Sequence, residues 1–335
     1  MIDKRYKVLV LTDHRNHGIS NSLYPIVRQM LSNKKCHSID IANRGVVENN
    51  GFFQKMDSSK LMVMPATADF KYAAENNILS DTDILTPTDY TSYDLVLLRL
   101  PRPVSDEFLH WIESIFEGIP IINRPSGIIK TSSKAYLLSF PEYCAPMKLV
   151  RSVDEVLEYA SIHAVVLKPL REYGGRGLIR IWEDKLDDGL NRHSAKEYLP
   201  TIQNTLEEEG CLAMKFLKNV DQGDKRIIVM DDIIMASSLR LPAKDSWLCN
   251  VAQGGTSVES SIAPEEEEMI AHIAPFMKSE GILIYGVDTL VNDDGLRIIS
   301  EINTLSVGGF ENAQQQTGLP IIEKTIEKIF DQCNK

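Results

Sequence analysis

Short runs of consecutive apolar residues, each closed by polar or turn-forming residues, organise the first third of the chain. Lys7 to Thr12 (KVLVLT) is one such run, ending in the polar loop Asp13-His14-Arg15-Asn16-His17-Gly18, and Ser22 to Leu31 then spaces its apolar positions as a helix does. His37 to Ala42 and Asp94 to Leu100 (DLVLLRL) repeat the strand texture, Asp106 to Phe116 repeats the helical one, and Pro120 to Asn123 adds a fourth strand. Buried strands alternating with helices predict an α/β domain on a mainly parallel sheet. Gly45 to Tyr93 is polar, lacks sustained periodicity and reads as loops with short elements. The domain is expected to span residues 1–124, closing at Asn123-Arg124-Pro125-Ser126-Gly127, where a strand runs into proline and glycine. A helix carrying Lys134 should follow.

Further along, the pattern changes to strand pairs, and the fold class becomes α+β. Ala164 to Leu167, the glycine-rich Arg171 to Gly177 (REYGGRG) and Leu178 to Trp182 predict a hairpin. Further pairs are expected around Cys211 to Phe216 with Arg226 to Met230, in Ile233 to Leu241, and in Tyr285 to Ile302. Pro264 followed by four glutamates predicts a helix start whose acids face solvent and the positive end of the dipole.

Composition narrows the function. With 335 residues, 43% hydrophobic and 25% charged, the chain is an ordinary globular sequence long enough for two or three domains. A net charge of −11 has the wrong sign for coating nucleic acid or anionic lipid, but leaves room for a small anion held by a few lysines and backbone N–H groups. The five cysteines, Cys36, Cys144, Cys211, Cys249 and Cys333, show neither C-x-x-C nor zinc spacing, as expected in a reducing cytosol. The N-terminal residues lack the apolar stretch of a secretory signal, and no window approaches the ~18 apolar residues of a membrane span, so a cytoplasmic protein is expected.

Four constellations can carry chemistry. Lys168 closes the strand Val165-Val166-Leu167 ahead of Gly174-Gly175-Arg176-Gly177, offering an ammonium and close backbone N–H groups to one anion. The spacing matches neither Walker A nor the dinucleotide fingerprint, and a glycine-rich hairpin with a solvated lysine fits the same residues. Asp294-Gly295 has the composition of a two-residue hairpin turn, which pairs residues whose numbers sum to 589 and so opposes Asp288 to Glu301. Asn303 follows on the same face. Three hard oxygen donors on one face suit Mg²⁺; a solvated acidic hairpin is the alternative. Asp224-Lys225-Arg226 and Arg240 supply guanidinium groups for a phosphoryl or carboxylate group, or for surface ion pairs. Asn250 to Thr256 (NVAQGGT) is a candidate lid. His14 and His17 lie where open α/β sheets bind ligands, though a polar loop surface is the better reading. Neither a G-x-S-x-G elbow nor a Ser-His-Asp order supports a hydrolase.

Taken in order, VLKPLREYGGRG, DQGDKRIIV, SSLRLP, NVAQGG, GVDTL and SEINTLS resemble the bacterial glutathione synthetases of the ATP-grasp superfamily over most of residues 120–330. The resemblance implies an N-terminal α/β domain, a lid subdomain over residues 125–200 and a C-terminal subdomain with the metal site over residues 201–330. ATP would lie between the last two. Lys134 and Lys168 would hold its phosphates under the Gly174-Gly175 turn. Met214 to Leu217, and so Lys215, Phe216 and Leu217, would line the adenine pocket through backbone groups. Asp224 would contact the ribose, and Asp288, Glu301 and Asn303 would bind Mg²⁺, two ions in number, with Mn²⁺ as a substitute. Arg226 and Arg240 would stabilise the charge that develops as a carboxylate is phosphorylated and an amine then displaces phosphate. Small-molecule acid and amine substrates are implied, with no nucleic acid or membrane partner and with room for a homo-oligomer.

The implied activity is glutathione synthesis from γ-glutamylcysteine and glycine. Ligation of another peptide or amino-acid pair comes second, and a nucleotide-binding protein that has lost catalysis third. The chain departs from the family pattern at Leu248-Cys249-Asn250, which lacks an arginine, and at Ser306-Val307-Gly308-Gly309-Phe310, where Ser-Pro-Thr is usual. A third departure is Arg99-Leu100-Pro101-Arg102-Pro103, which lacks an acidic residue. These segments would border the peptide-substrate site.

Overall fold

The computed structural model describes residues 4–72, 84–243, 247–249 and 256–333. The first sheet contains β1 (Tyr6–Thr12), β2 (Cys36–Asn43), β3 (Leu61–Pro65), β4 (Thr86–Thr88), β5 (Leu95–Arg99) and β6 (Ile121–Ile122), in the order β4-β3-β2-β1-β5-β6. Its β2-β1-β5-β6 half is parallel, as the alternation of strands and helices predicts. The antiparallel strands β3 and β4 fall in the stretch read as loops with short elements. The helix Asp106–Ile115 starts where Ser105 accepts a hydrogen bond from the Phe108 N–H at 3.1 Å, and Asp106 and Glu107 occupy its first turn. It buries Phe108, Leu109 and Ile112, the one-turn spacing of a core-facing stripe.

The second sheet contains β7 (Met147–Val150), β8 (Val165–Pro169), β9 (Ile179–Trp182), β10 (Lys185–Asp187), β11 (Arg192–Ser194) and β12 (Cys211–Lys215), in the order β11-β10-β9-β8-β12-β7. The β8–β9 hairpin forms as expected, with Leu167 opposite Ile179. Gly174, Gly175 and Gly177 in its connection all have positive φ, between 67° and 78°, a backbone that a side chain would strain.

The third sheet contains β13 (Asp224–Met230), β14 (Ile233–Leu241), β15 (Thr256–Glu259), β16 (Ile284–Val291) and β17 (Arg297–Asn303), in the order β15-β14-β13-β16-β17. One expected pairing is corrected here. The strand at Cys211 does not pair with Arg226–Met230: β12 lies antiparallel between β8 and β7, and β13 lies between β14 and β16. The apolar run of β12 reflects burial on both faces, since Leu212 and Met214 join one core and Cys211 and Ala213 another. Such a run signals burial without naming a partner.

The first and third sheets share two cores. One joins Leu9, Val96 and Phe108 to Ile227, Val287 and Ile302; the other joins Val8 and Leu97 to Ile228, Met230 and Phe310. The second sheet has a smaller core of its own, containing Val150, Leu167, Ile181 and Leu206. Two further expectations change. Lys134 opens a 3₁₀ helix, Lys134–Ser139, after the α-helix Pro125–Thr131. The glutamate run does open the helix Pro264–Ser279, but Glu266 is fully buried: it accepts hydrogen bonds from the Lys225 ammonium at 2.5 Å and the Thr289 hydroxyl at 2.7 Å.

Candidate active site

The third sheet sets most site residues in one row by register. Arg226 on β13 lies opposite Asp288 on β16, and Asp288 lies opposite Glu301 on β17. Asp224, two residues before Arg226 and therefore on the same face, pairs with Arg240 on β14. Lys225 between them points the other way, to Glu266. Gly286 clears space on this face, since a Cβ there would come within 3.0 Å of the Arg226 side chain.

The expected Asp288–Glu301 opposition is present, by a different route. The connection between β16 and β17 runs through five residues, Asn292–Leu296, and only Gly295 within it has positive φ. Near this turn Leu290 faces Ile298 and Thr289 faces Ile299; an irregularity between Asp288 and Thr289 then shifts the register by one. The bulge restores the pairing that the shorter turn would have given.

Charge pairing fixes these groups. Asp288 accepts two hydrogen bonds from Arg226, one from Nη2 at 2.8 Å and one from Nε, and its Oδ2 lies 2.9 Å from Arg240 Nη2. Asn303 Nδ2 donates to the same oxygen at 3.3 Å. Burial pushes the Asp288 carboxyl up, but the two guanidinium groups outweigh it and hold the group well below the usual carboxylate range. Asp224 behaves oppositely: burial, reinforced by the nearby Asp288 charge, raises its pKa against the pull of Arg240 and Arg226. Its Oδ2 accepts from Arg240, whereas the buried Oδ1 has no hydrogen-bond partner among the described residues.

Two lysines complete the cluster. Lys168, at the end of β8, donates to the Ser300 carbonyl at 3.0 Å, and burial lowers its pKa. Lys134 lies 3.3 Å from Glu301 and donates to the Glu172 carbonyl, tying the 3₁₀ helix to the glycine-rich connection.

These residues border two adjoining cavities. A space of about 800 Å³ is lined by Lys134, Lys168, Gly175, Lys215, Phe216, Leu217, Asp224 and Glu301. A second, of about 1100 Å³, is lined by Gly174, Arg226, Arg240, Asp288, Glu301 and Asn303. Glu301 belongs to both walls, together with Glu172 and Tyr173. Every residue that the family resemblance places in the site therefore lines one space or the other. The backbone N–H groups of Lys215 and Phe216 are already spent, on the Pro146 and Ala164 carbonyls, so those two amides are not available to a base.

Sequence reasoning missed Trp247, which lines the first cavity edge-on to Phe216, with a buried indole N–H that has no hydrogen-bond partner among the described residues. It also missed Tyr173 in the walls, and it read the segment holding Arg102 as a border of the substrate site without giving that arginine a role. No local pattern marks the first; the other two stand inside motifs that were read for their neighbours. His14 and His17 lie outside both cavities: His14 contacts Asn43 at 2.6 Å and His17 contacts Tyr24 at 2.9 Å. Of the candidate lid Asn250 to Thr256, residues 250–255 lie outside the described residues; Leu248 and Cys249 just before it are buried in the wall of the first cavity.

Opposed Asp288 and Glu301 with Asn303 beside them supply hard oxygen donors at the seam of the two cavities, a donor set that fits Mg²⁺. The overall fold is that of an ATP-grasp protein. It matches D-cycloserine synthetase DcsG at a TM-score of 0.67 and 12% identity, over 96% of this chain and 99% of that one. It also matches the D-alanine-D-alanine ligase from Coxiella burnetii at 0.64 and 11%, over 99% and 95%. The sequence carries the assignment further. Residues 133–318 match the prokaryotic glutathione synthetase ATP-grasp domain, and the chain belongs to that family. Glutathione synthetase of Rhodopseudomonas palustris is 29% identical over 245 residues, 72% of this chain and 74% of that protein. The Bradyrhizobium diazoefficiens enzyme is 27% identical over 241 residues, 71% and 73% respectively.

Proposed function

We propose that the protein is an ATP-dependent carboxylate–amine ligase that joins γ-glutamylcysteine to glycine, forming glutathione. The observation that carries this reading is the shared wall: a lysine-lined cavity meets an arginine-lined one at Glu301. The first takes ATP, its phosphates against Lys134 and Lys168 and its ribose against the unpartnered Asp224 Oδ1. The second takes the acid. A carboxylate oxygen attacks the γ-phosphorus, the bond to the ADP oxygen breaks, and an acyl phosphate results. The amine nitrogen then attacks the acyl carbon, inorganic phosphate leaves, and the nitrogen loses its proton as the amide forms.

No side-chain nucleophile is needed, so the chain's own contribution is positioning and charge neutralisation. Arg226 and Arg240, held by Asp288 and Asp224, present fixed positive charge toward the transferring phosphoryl group and the tetrahedral species. Asp288, Glu301 and Asn303 would hold Mg²⁺, which supplies Lewis-acid neutralisation of the phosphate oxygens when bound. All five cysteines are free thiols, which supports a reducing cytosol as the working compartment. Among the described residues, no helix is long and apolar enough to cross a membrane.

The test is ADP release by purified protein with Mg²⁺-ATP, γ-glutamylcysteine and glycine, with chromatographic detection of the product. Glutathione formation at a kcat/KM of about 10⁴ M⁻¹s⁻¹ or more is expected. Its absence, with ADP release on another acid and amine pair, would overturn the substrate assignment while keeping the ligase class.

A further inference from the structure

Two cations beside the cavities have no use in the mechanism above. Arg226 and Arg240 already act in it and are held by Asp288 and Asp224, Arg171 pairs with Asp106 at 2.7 Å, and Arg176 lies 3.6 Å from Glu172. Arg99 and Arg102, on the segment that leaves β5, have no carboxylate within ion-pair distance among the described residues. Arg99 is 8% exposed, donates from Nη1 to the Val307 carbonyl at 2.8 Å, and has a buried Nε with no hydrogen-bond partner among the described residues. Arg102 is half-buried and donates from Nη2 to the Ser132 hydroxyl at 2.7 Å. Burial lowers the pKa of both, that of Arg99 to about 10. Asp106 and Glu172 lie near Arg102 without pairing to it, and Arg171 works against them; a desolvated guanidinium without a paired carboxylate is costly, and an anionic ligand removes the cost.

The surroundings say where that anion sits. Arg102 lines the cavity that contains Asp288, Glu301 and Asn303, and Arg99 lines a pocket of about 390 Å³ with His17 and Asn21. The two spaces share Pro101 and Ser306. The segment is held in place before any ligand arrives: Arg44 Nη2 donates to the Pro101 carbonyl at 2.8 Å, and the Ser306 hydroxyl donates to the Leu100 carbonyl at 2.6 Å. A planar guanidinium on a fixed segment suits a carboxylate better than a diffuse charge does.

We propose that Arg102, with Arg99 behind it, recognises a second, non-reacting carboxylate of the acid substrate, so that this cavity selects dicarboxylates. The proposal rests on the ligase reading for which end of the substrate reacts, and its test is a binding measurement that does not require turnover. Calorimetry with Mg²⁺ and AMPPNP present compares γ-glutamylcysteine with 4-aminobutyrylcysteine, which lacks only the non-reacting carboxylate. The protein should prefer the dicarboxylate by about 10- to 100-fold, the worth of a charge-assisted contact. Arg102→Met should remove most of that preference, and Arg102→Lys, which keeps the charge but not the fork, should retain part of it. Unchanged AMPPNP affinity shows that each variant is folded. No preference in the wild type, failure to bind either compound, or a preference that survives Arg102→Met overturns the inference. Binding with the expected preference but no glutathione formation overturns the proposed function and leaves the inference standing.

Discussion

Glu266→Gln removes one charge from a fully buried ion pair directly behind the row of site residues. The carboxylate accepts from Lys225 Nζ at 2.5 Å, from the Ala263 N–H at 2.9 Å and from the Thr289 hydroxyl at 2.7 Å, with Arg297 Nε 3.9 Å away. Glutamine keeps the shape but leaves the Lys225 ammonium, itself buried, with the Ser261 carbonyl at 2.8 Å and no counter-charge. Removing one partner of a buried pair costs about 3–5 kcal/mol. At roughly 2.1 cal/mol/K per residue, a chain of this length has an unfolding entropy near ~0.7 kcal/mol/K, so Tm should fall by about 4–7 °C. The double variant Lys225→Met/Glu266→Leu replaces the pair by apolar groups and should return to within about 1 kcal/mol of the original stability. Scanning calorimetry and urea titration of the two single variants and the double variant measure this. A cost below about 1 kcal/mol for Glu266→Gln would refute the reasoning, because the ammonium would then have found water or another acceptor.

Lys168→Met and Lys134→Met should each weaken ATP binding by about 1.5–3 kcal/mol, the value of a charged contact, as read by calorimetry with AMPPNP; unchanged affinity in both would remove the lysines from the phosphate site. Glu301→Gln should lower turnover at least about 100-fold while the circular dichroism spectrum stays the same, whereas near-normal kcat at ordinary Mg²⁺ concentration would exclude Glu301 as a metal ligand. Asp13 predicts an acid-labile N-terminal sheet. Burial pushes its carboxyl up, but the bonds from Arg15 and Arg44 win and hold it below the ordinary range, so its stabilisation is complete above the unfolded value near ~3.9 and is lost as pH falls through the folded one. Thermal melts across that window should show a steeper acid loss for the original protein than for Asp13→Asn; parallel curves would show that the pair contributes nothing.

Local pattern reached the elements and stopped at their partners. The run at Leu9 to Leu11 and the helix stripe of Phe108, Leu109 and Ile112 are visible because each residue's burial follows from its own element's period. The placement of β12 was not visible, because a strand buried on both faces looks the same beside β8 as beside β13. Glu266 was misread for a related reason. A glutamate in the first turn of a helix is a solvated residue by default, and what buries this one is Lys225 on a strand about forty positions earlier. The Asp288–Glu301 pair shows the opposite case, in which the expectation and the structure agree although the turn differs. A connection of five residues in place of two shifts the register by one and the bulge in the strand shifts it back, and the face of a strand residue depends only on their combined parity.

The chain's net charge of −11 argued against a polyanionic partner in bulk, and the site reverses that sign locally. Around the two cavities, Lys134, Lys168, Arg226 and Arg240 face Asp224, Asp288, Glu301 and Glu172, and Arg102 and Arg99 add two further positive groups beside the second cavity. This excess is a tertiary property. Lys168 ends a strand of the second sheet, yet its ammonium reaches the Ser300 carbonyl in the third, 132 positions later. Lys134 reaches Glu301 from a helix between the two sheets. Each lysine taken alone in the sequence is an ordinary surface cation, and only the meeting of the two sheets at β17 brings both into the wall of one cavity.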